Sequence, residues 1–161
     1  MKRILTFGLI LGALVAVWQL AYGFLGLYSS PGTVWTFTVV AALITIGVLV
    51  WGLMQTAKEG RRYWGQVGAG LLICLVALIL IVPGSLLFTG VLFPDYFDVL
   101  AEMQAETWSN AGISEEEVDQ LLTQSAFTRT SPMAAILGAM GTMITGFIVS
   151  LITAAFARAR D

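Results

Sequence analysis

The sequence predicts an all-α integral membrane protein with four transmembrane helices, an amphipathic helical hairpin between the third and fourth, and both termini in the cytoplasm. Three observations carry that expectation. First, the 161 residues are 58% hydrophobic and 11% charged, with a mean hydropathy of +0.87. An ordinary soluble domain carries about 25% charged residues, so too few are present here for a water-facing surface. Second, no Asp, Glu, Lys or Arg falls between Arg3 and Lys58, between Arg62 and Asp95, or between Arg129 and Arg158. Each gap exceeds the roughly 20 apolar residues that cross the hydrocarbon core. Third, seven of the eight basic residues sit at the N-terminus (Lys2, Arg3), in one central loop (Lys58, Arg61, Arg62) and at the C-terminus (Arg158, Arg160).

The first gap holds two crossings, about Ile4–Tyr28 and Trp35–Met54, separated by the turn chemistry of Ser29-Ser30-Pro31-Gly32-Thr33. Met1-Lys2-Arg3 before an apolar run also fits a secretory signal peptide. The run to Tyr28 exceeds the usual 7–15-residue apolar region of such a leader, so the segment is read as a span. The third span, about Trp64–Phe88, contains Pro83-Gly84, which is expected to kink or end it. Leu86–Phe93 is then expected to leave the core obliquely. The fourth, about Pro132–Ala157, opens on Ser131 as N-cap with Pro132 at the first helical position. Strands are excluded because the runs are continuously apolar and an open sheet leaves its backbone unpaired in lipid. Tyr28, Trp35, Trp51, Tyr63 and Trp64 lie near span ends, as interfacial aromatics do. The whole chain, 1–161, is one membrane domain.

Basic residues mark the cytoplasmic side, and only Arg129 falls opposite the other seven. Eight of the ten acids lie within Asp95–Asp119, on the opposite face. This segment, about 94–130, carries explicit capping signals. Asp95 after Pro94 is a plausible N-cap for a helix running to about Asn110, with Gly112 able to take the left-handed position after it. Ser114 and Glu117 form a capping box, and Glu115, Glu116 and Glu117 suit the positive end of the second helix. Its apolar edges either cover the span ends, or its carboxylates bind divalent cations or a basic partner. The Asp95, Asp98, Glu102 and Glu106 ladder is spread along one face and lacks the convergent oxygen cage of a calcium site.

Chemistry inside the membrane has few candidates. Histidine is absent, Cys74 is the one cysteine, and no ionisable residue marks an ion path or proton relay. Gln19, Thr45, Gln66, Ser85, Thr142, Thr145, Ser150 and Thr153 supply neutral polarity without a base beside a nucleophile. No catalytic residue, cofactor site, metal site or nucleic-acid surface is expected. Small residues do form a pattern: Ala135, Ala139, Thr142, Gly146, Ser150, Thr153 and Ala157 recur at helical spacing on the fourth span. Gly8 and Gly12, with Ala16, do so on the first. Such stripes let helices approach closely, either each other within the bundle or another chain. Lys58, Arg61 and Arg62 either report topology alone or contact anionic lipid head groups.

Phe7-Gly8-Leu9-Ile10-Leu11-Gly12, Trp64-Gly65-Gln66, Pro94-Asp95-Tyr96, Gly112-Ile113-Ser114-Glu115-Glu116-Glu117-Val118, and Gly146-Phe147-Ile148 through Ala154-Ala155-Phe156 follow one another in order. In these motifs, spread over nearly the whole chain, it resembles the bacterial membrane family catalogued as domain of unknown function 4199. The resemblance implies a small four-span inner-membrane protein and brings no catalytic residues. The functional expectation is a non-enzymatic accessory or scaffolding subunit of a larger inner-membrane complex. An envelope or lipid-linked glycosyltransferase assembly is suggested by analogy with other four-span helpers. The alternative is a small oligomeric channel or transporter lined by Gln19, Gln66 and Ser85.

Overall fold

A computed structural model describes residues 1–157, without the side chains of Pro31 and Val34. Arg158 and Arg160, on which part of the basic-residue asymmetry rests, lie outside the described residues. Helix α1 covers Lys2–Phe24, α2 Val34–Ala57, α3 Tyr63–Leu87, α4 Tyr96–Asn110, α5 Glu115–Ser125 and α6 Ser131–Phe156. Four stretches are long and apolar enough to cross a membrane: Lys2–Phe24, Trp35–Ala57, Tyr63–Leu92 and Ser131–Phe156. No strand occurs among the described residues.

Local chemistry explains most boundaries. The first helix ends before Tyr28 because Gly26 adopts the left-handed conformation at φ 66°, and its N–H caps Gly23 O at 2.9 Å. Two 3-10 turns, Leu27–Ser29 and Pro31–Thr33, lead into α2. Pro83 does not end α3: the helix runs through it to Leu87 and continues as one π turn, Phe88–Leu92. There the Phe93 N–H reaches Phe88 O at 2.8 Å. The segment expected to leave the core stays against the end of α1. Phe88 and Thr89 are buried, and Phe88 and Phe93 pack on Gly23, where a Cβ would collide with both rings.

In the hairpin, α4 ends at Asn110 with Gly112 at φ 85°. Asp95 is its N-cap residue but makes no side-chain cap bond. The capping box of α5 is complete: the Glu117 N–H donates to Ser114 Oγ and the Ser114 N–H to Glu117 Oε2, both at 3.4 Å. Thr130 and not Ser131 holds the N-cap position of helix α6, without a side-chain cap bond, and Ser131 forms the first turn with Pro132.

Around the bundle the order is α1, α3, α6, α2, so that α1 and α6 lie across from each other and α3 packs extensively on both. Leu11, Leu49, Leu53, Ile73, Cys74 and Ala77 are fully enclosed at the centre. Large apolar side chains such as Leu5, Leu43, Ile79 and Ile144 point outward on every span, as lipid-facing helices require. Lipid is as apolar as leucine, so the bundle coheres by close packing and interhelical hydrogen bonds.

The candidate functional site: a closed polar knot and an open cavity

The two ends of the bundle treat polar side chains differently. At the end bearing residues 58–62, Gln66 is 0% exposed one turn into α3. Its Nε2 donates to Leu53 O on α2 at 3.0 Å and to Ala157 O beyond α6 at 2.7 Å. Its Oε1 accepts from Thr56 Oγ1 at 2.7 Å. One amide thus ties three helices together and satisfies a carbonyl that the end of α6 leaves open. Tyr63 adds a bond from its hydroxyl to Leu151 O at 3.3 Å. The fourth helix joins through Arg3, whose guanidinium donates to Gln55 O.

The basic loop is partly neutralised. Glu59 lies 3.0 Å from Arg61 and 3.6 Å from Arg3. The Arg61 hydrogen bond, with Arg61 and Arg3 charge beside it, holds the Glu59 carboxyl below its usual range. Lys58 and Arg62 are exposed and Arg61 is half-buried. Of the three residues expected at lipid head groups, Arg61 is therefore also committed to an internal pair.

The small-residue stripes pack on α3 and not on each other. A Cβ on Gly8 would meet Val76 and Ile73 O, and one on Gly12 would lie 2.7 Å from Ala77 O. On α6, a Cβ at Gly146 would overlap Cys74 Sγ, while Ser150 presses into the space left by Gly70. Ala135, Gly146 and Ser150 are buried, whereas Ala139, Thr142, Thr153 and Ala157 are half-buried. The Ser150 hydroxyl is enclosed without a hydrogen-bond partner.

At the hairpin end a cavity of about 330 Å³ lies between α1, α2, α3 and α6, and Tyr96 of α4 reaches it. Gln19, Tyr22, Ser85 and Thr142 line it. Gln66 is not among the residues lining this space, whereas Gln19 and Ser85, which the alternative channel expectation grouped with it, both are. Tyr96 packs against Tyr28 and Phe88, with ring centroids 5.6 and 5.5 Å apart. Burial pushes its phenol up to about 12, with Tyr22 adding to the rise. Burial and then the Asp95 carboxylate raise the Tyr28 phenol as well. These contacts anchor the hairpin to the bundle. Among the described residues its carboxylates do not gather into a three-ligand metal cluster. Arg129 donates to Leu122 O in the last turn of α5, where a cation complements the helix dipole. The sequence marks Tyr96 only through the Pro94-Asp95-Tyr96 motif and does not single out Tyr22. Tyr22 follows Gln19 by three residues and shares its helix face, a signal for one; that Tyr96, 74 positions further on, reaches the same cavity has no local sign.

Four long apolar helices around an apolar core with a few neutral polar side chains define an all-helical, multi-pass membrane protein. Within that class the chain belongs to the family described as "Protein of unknown function (DUF4199)", which it matches over residues 6–159. That is the family its motifs resemble. No curated protein and no solved structure matches the chain.

Proposed function

We propose that this chain is a non-enzymatic accessory subunit of a larger bacterial inner-membrane complex, with both termini cytoplasmic and the acidic hairpin outside. The observation that carries the reading is the open seam between α2 and α6. Gly138 and Gly141 face it with nothing within 4 Å of where a side chain would begin. At its other end a groove of about 470 Å³ runs between Val50, Met54 and Ala57 of α2 and Ile152, Thr153 and Phe156 of α6. Small residues flanking a groove let a transmembrane helix of another chain approach closely. The buried stripe members, Gly146 and Ser150, are committed to α3, so the docking face is the seam and its half-buried edge, Thr142, Thr153 and Ala157. The orientation is supported by the basic cluster at one end and the acidic hairpin at the other.

Purification from native membranes in a mild detergent tests the proposal. A stoichiometric larger partner is expected, and Gly138→Leu with Gly141→Leu is expected to release it while the protein stays inserted and folded. A lone chain in every detergent, or a partner retained by the double variant, contradicts it.

A further inference from the structure

The cavity at the hairpin end contains polar groups with nothing to bond. Gln19 is 8% exposed and Tyr22 is 2% exposed, and neither side chain makes a hydrogen bond among the described residues. Three of the lining threonines differ: Thr45, Thr89 and Thr142 each donate to the carbonyl four residues earlier on their own helix, whereas Thr38 and Thr145 share the cavity with Gln19. The enclosed side-chain atoms without a partner among the described residues are Arg129 Nη1 and Ser150 Oγ, so the polar atoms of Gln19 and Tyr22 are not sealed in but open into the cavity, where whatever fills it must satisfy them. At the opposite end the same side chain, Gln66, is fully bonded. The contrast marks Gln19 as a group whose partner is not part of this chain.

The walls describe that partner. No charged side chain lines the cavity, so a phosphate, carboxylate or ammonium would be desolvated there without a counter-charge. Gln19 offers one acceptor and two donors, and the phenols of Tyr22 and Tyr96 offer one hydroxyl each. Ser85, Thr38 and Thr145 add hydroxyls, and Phe37, Ala41 and Ala42 of α2 with Leu137, Gly138 and Gly141 of α6 form an apolar wall. Gly138 and Gly141 are both lining and exposed, so the space opens between α2 and α6 on the side that faces lipid. The volume falls in the range of small-molecule pockets.

The geometry points to a binding site for an uncharged lipid-soluble molecule whose carbonyl or hydroxyl head bonds Gln19, Tyr22 and Tyr96 and whose apolar body lies between α2 and α6. The amide donates to a carbonyl or accepts from a hydroxyl, which is why the two head groups share one site. The inference does not rest on the accessory-subunit reading, since it concerns the isolated chain.

The test uses the full chain purified in dodecyl maltoside, with dioleoylglycerol as the hydroxyl-headed probe and decylubiquinone as the carbonyl-headed one. Binding is read by native mass spectrometry for stoichiometry and by the shift in melting temperature for affinity. Saturable one-to-one binding of at least one probe is expected. The glyceride alone would assign a hydroxyl head, the quinone alone a carbonyl head, and both the shared chemistry. Gln19→Leu is expected to weaken binding about tenfold, the loss of a net hydrogen bond, while leaving the melting temperature of the ligand-free protein unchanged or raised. Gly138→Phe fills the mouth from a position with nothing within 4 Å, so it is expected to fold normally and abolish binding. No saturable binding of either probe, as when the cavity holds water alone, would overturn the site. Unchanged affinity in Gln19→Leu or in Gly138→Phe would overturn it as well.

Discussion

Gln66 and Gln19 are the two glutamines buried within the spans, and they end in opposite states. Gln66 sits where α2 and α6 terminate, so free or shareable carbonyls lie within reach and the amide becomes a clamp. Gln19 faces a cavity of about 330 Å³ between α1, α2, α3 and α6 and makes no side-chain hydrogen bond among the described residues. The difference teaches that a polar residue in a membrane bundle is glue or site according to what the opposite helix presents, not according to its own chemistry. At the loop end the polar side chains Arg3, Glu59, Gln66 and Thr56 are closed on one another or on neighbouring carbonyls. At the hairpin end polar side chains are left facing open space.

The sharpest way to break the loop end is steric. Gly70→Leu drives a side chain into Ser150 and toward Leu53, and overpacking of this kind costs about 3 kcal/mol or more. The variant should insert but unfold in mild detergent, as size-exclusion chromatography would reveal. A smaller effect, at the hairpin end, comes from alkali. The Tyr96 phenol titrates at about 12 in place of the ordinary 10.0. Because the folded value is raised, the stability it contributes is complete below pH 10 and disappears as pH rises through the folded value. Hairpin docking, followed by a fluorophore on α5, should hold to about pH 10 and then weaken; Tyr96→Phe should reduce that transition, leaving the smaller share of Tyr28, whose phenol is raised as well.

Ser150→Ala sharpens the comparison from the side of the loop end. Its hydroxyl is enclosed and unpaired, so removing it should leave stability unchanged or raise it by up to about 1 kcal/mol. A clear loss in a thermal melt would mean that the hydroxyl has a partner. The smallest effect is at Glu59, an exposed carboxylate whose lowered pKa comes first from its Arg61 bond. Its contribution is present above the ordinary carboxylate range and fades as pH falls through the lowered folded value. Glu59→Gln should therefore flatten a slight acid-side dependence of the melting temperature, most visibly at low salt.

Much of this fold is legible in the sequence because its signals are local. Ion-free runs set the spans, and Ser114 with Glu117 sets the start of α5. Gly112 sets the end of α4. The one-residue differences at Thr130 and Ser131, and the earlier end of α1 at Gly26, are choices among neighbouring turn residues that propensity leaves nearly equal in energy. The path through Pro83 is of another kind. A proline costs a helix one bond and a clash, yet tertiary packing of Phe88 and Phe93 against Gly23 holds the chain in line. The site was less legible. Glycine stripes announce close approach but not to which helix, and that both use α3 depends on the circular order of the bundle. The fates of Gln19 and Gln66 depend on carbonyls more than ten residues away, and the meeting of Tyr22 with Tyr96 depends on the π turn that returns the chain to α1.

The central claim is that the two glutamines differ in role, and one paired measurement tests it directly: thermal unfolding of Gln66→Leu and Gln19→Leu in the same ligand-free detergent preparation. Gln66→Leu removes three interhelical or side-chain bonds, each worth about 0.6 kcal/mol in a membrane protein. It should destabilise by about 2 kcal/mol. Gln19→Leu should leave the melting temperature unchanged or raise it. Equal losses in the two variants would show that Gln19 is a second clamp, and the contrast between the two ends would disappear.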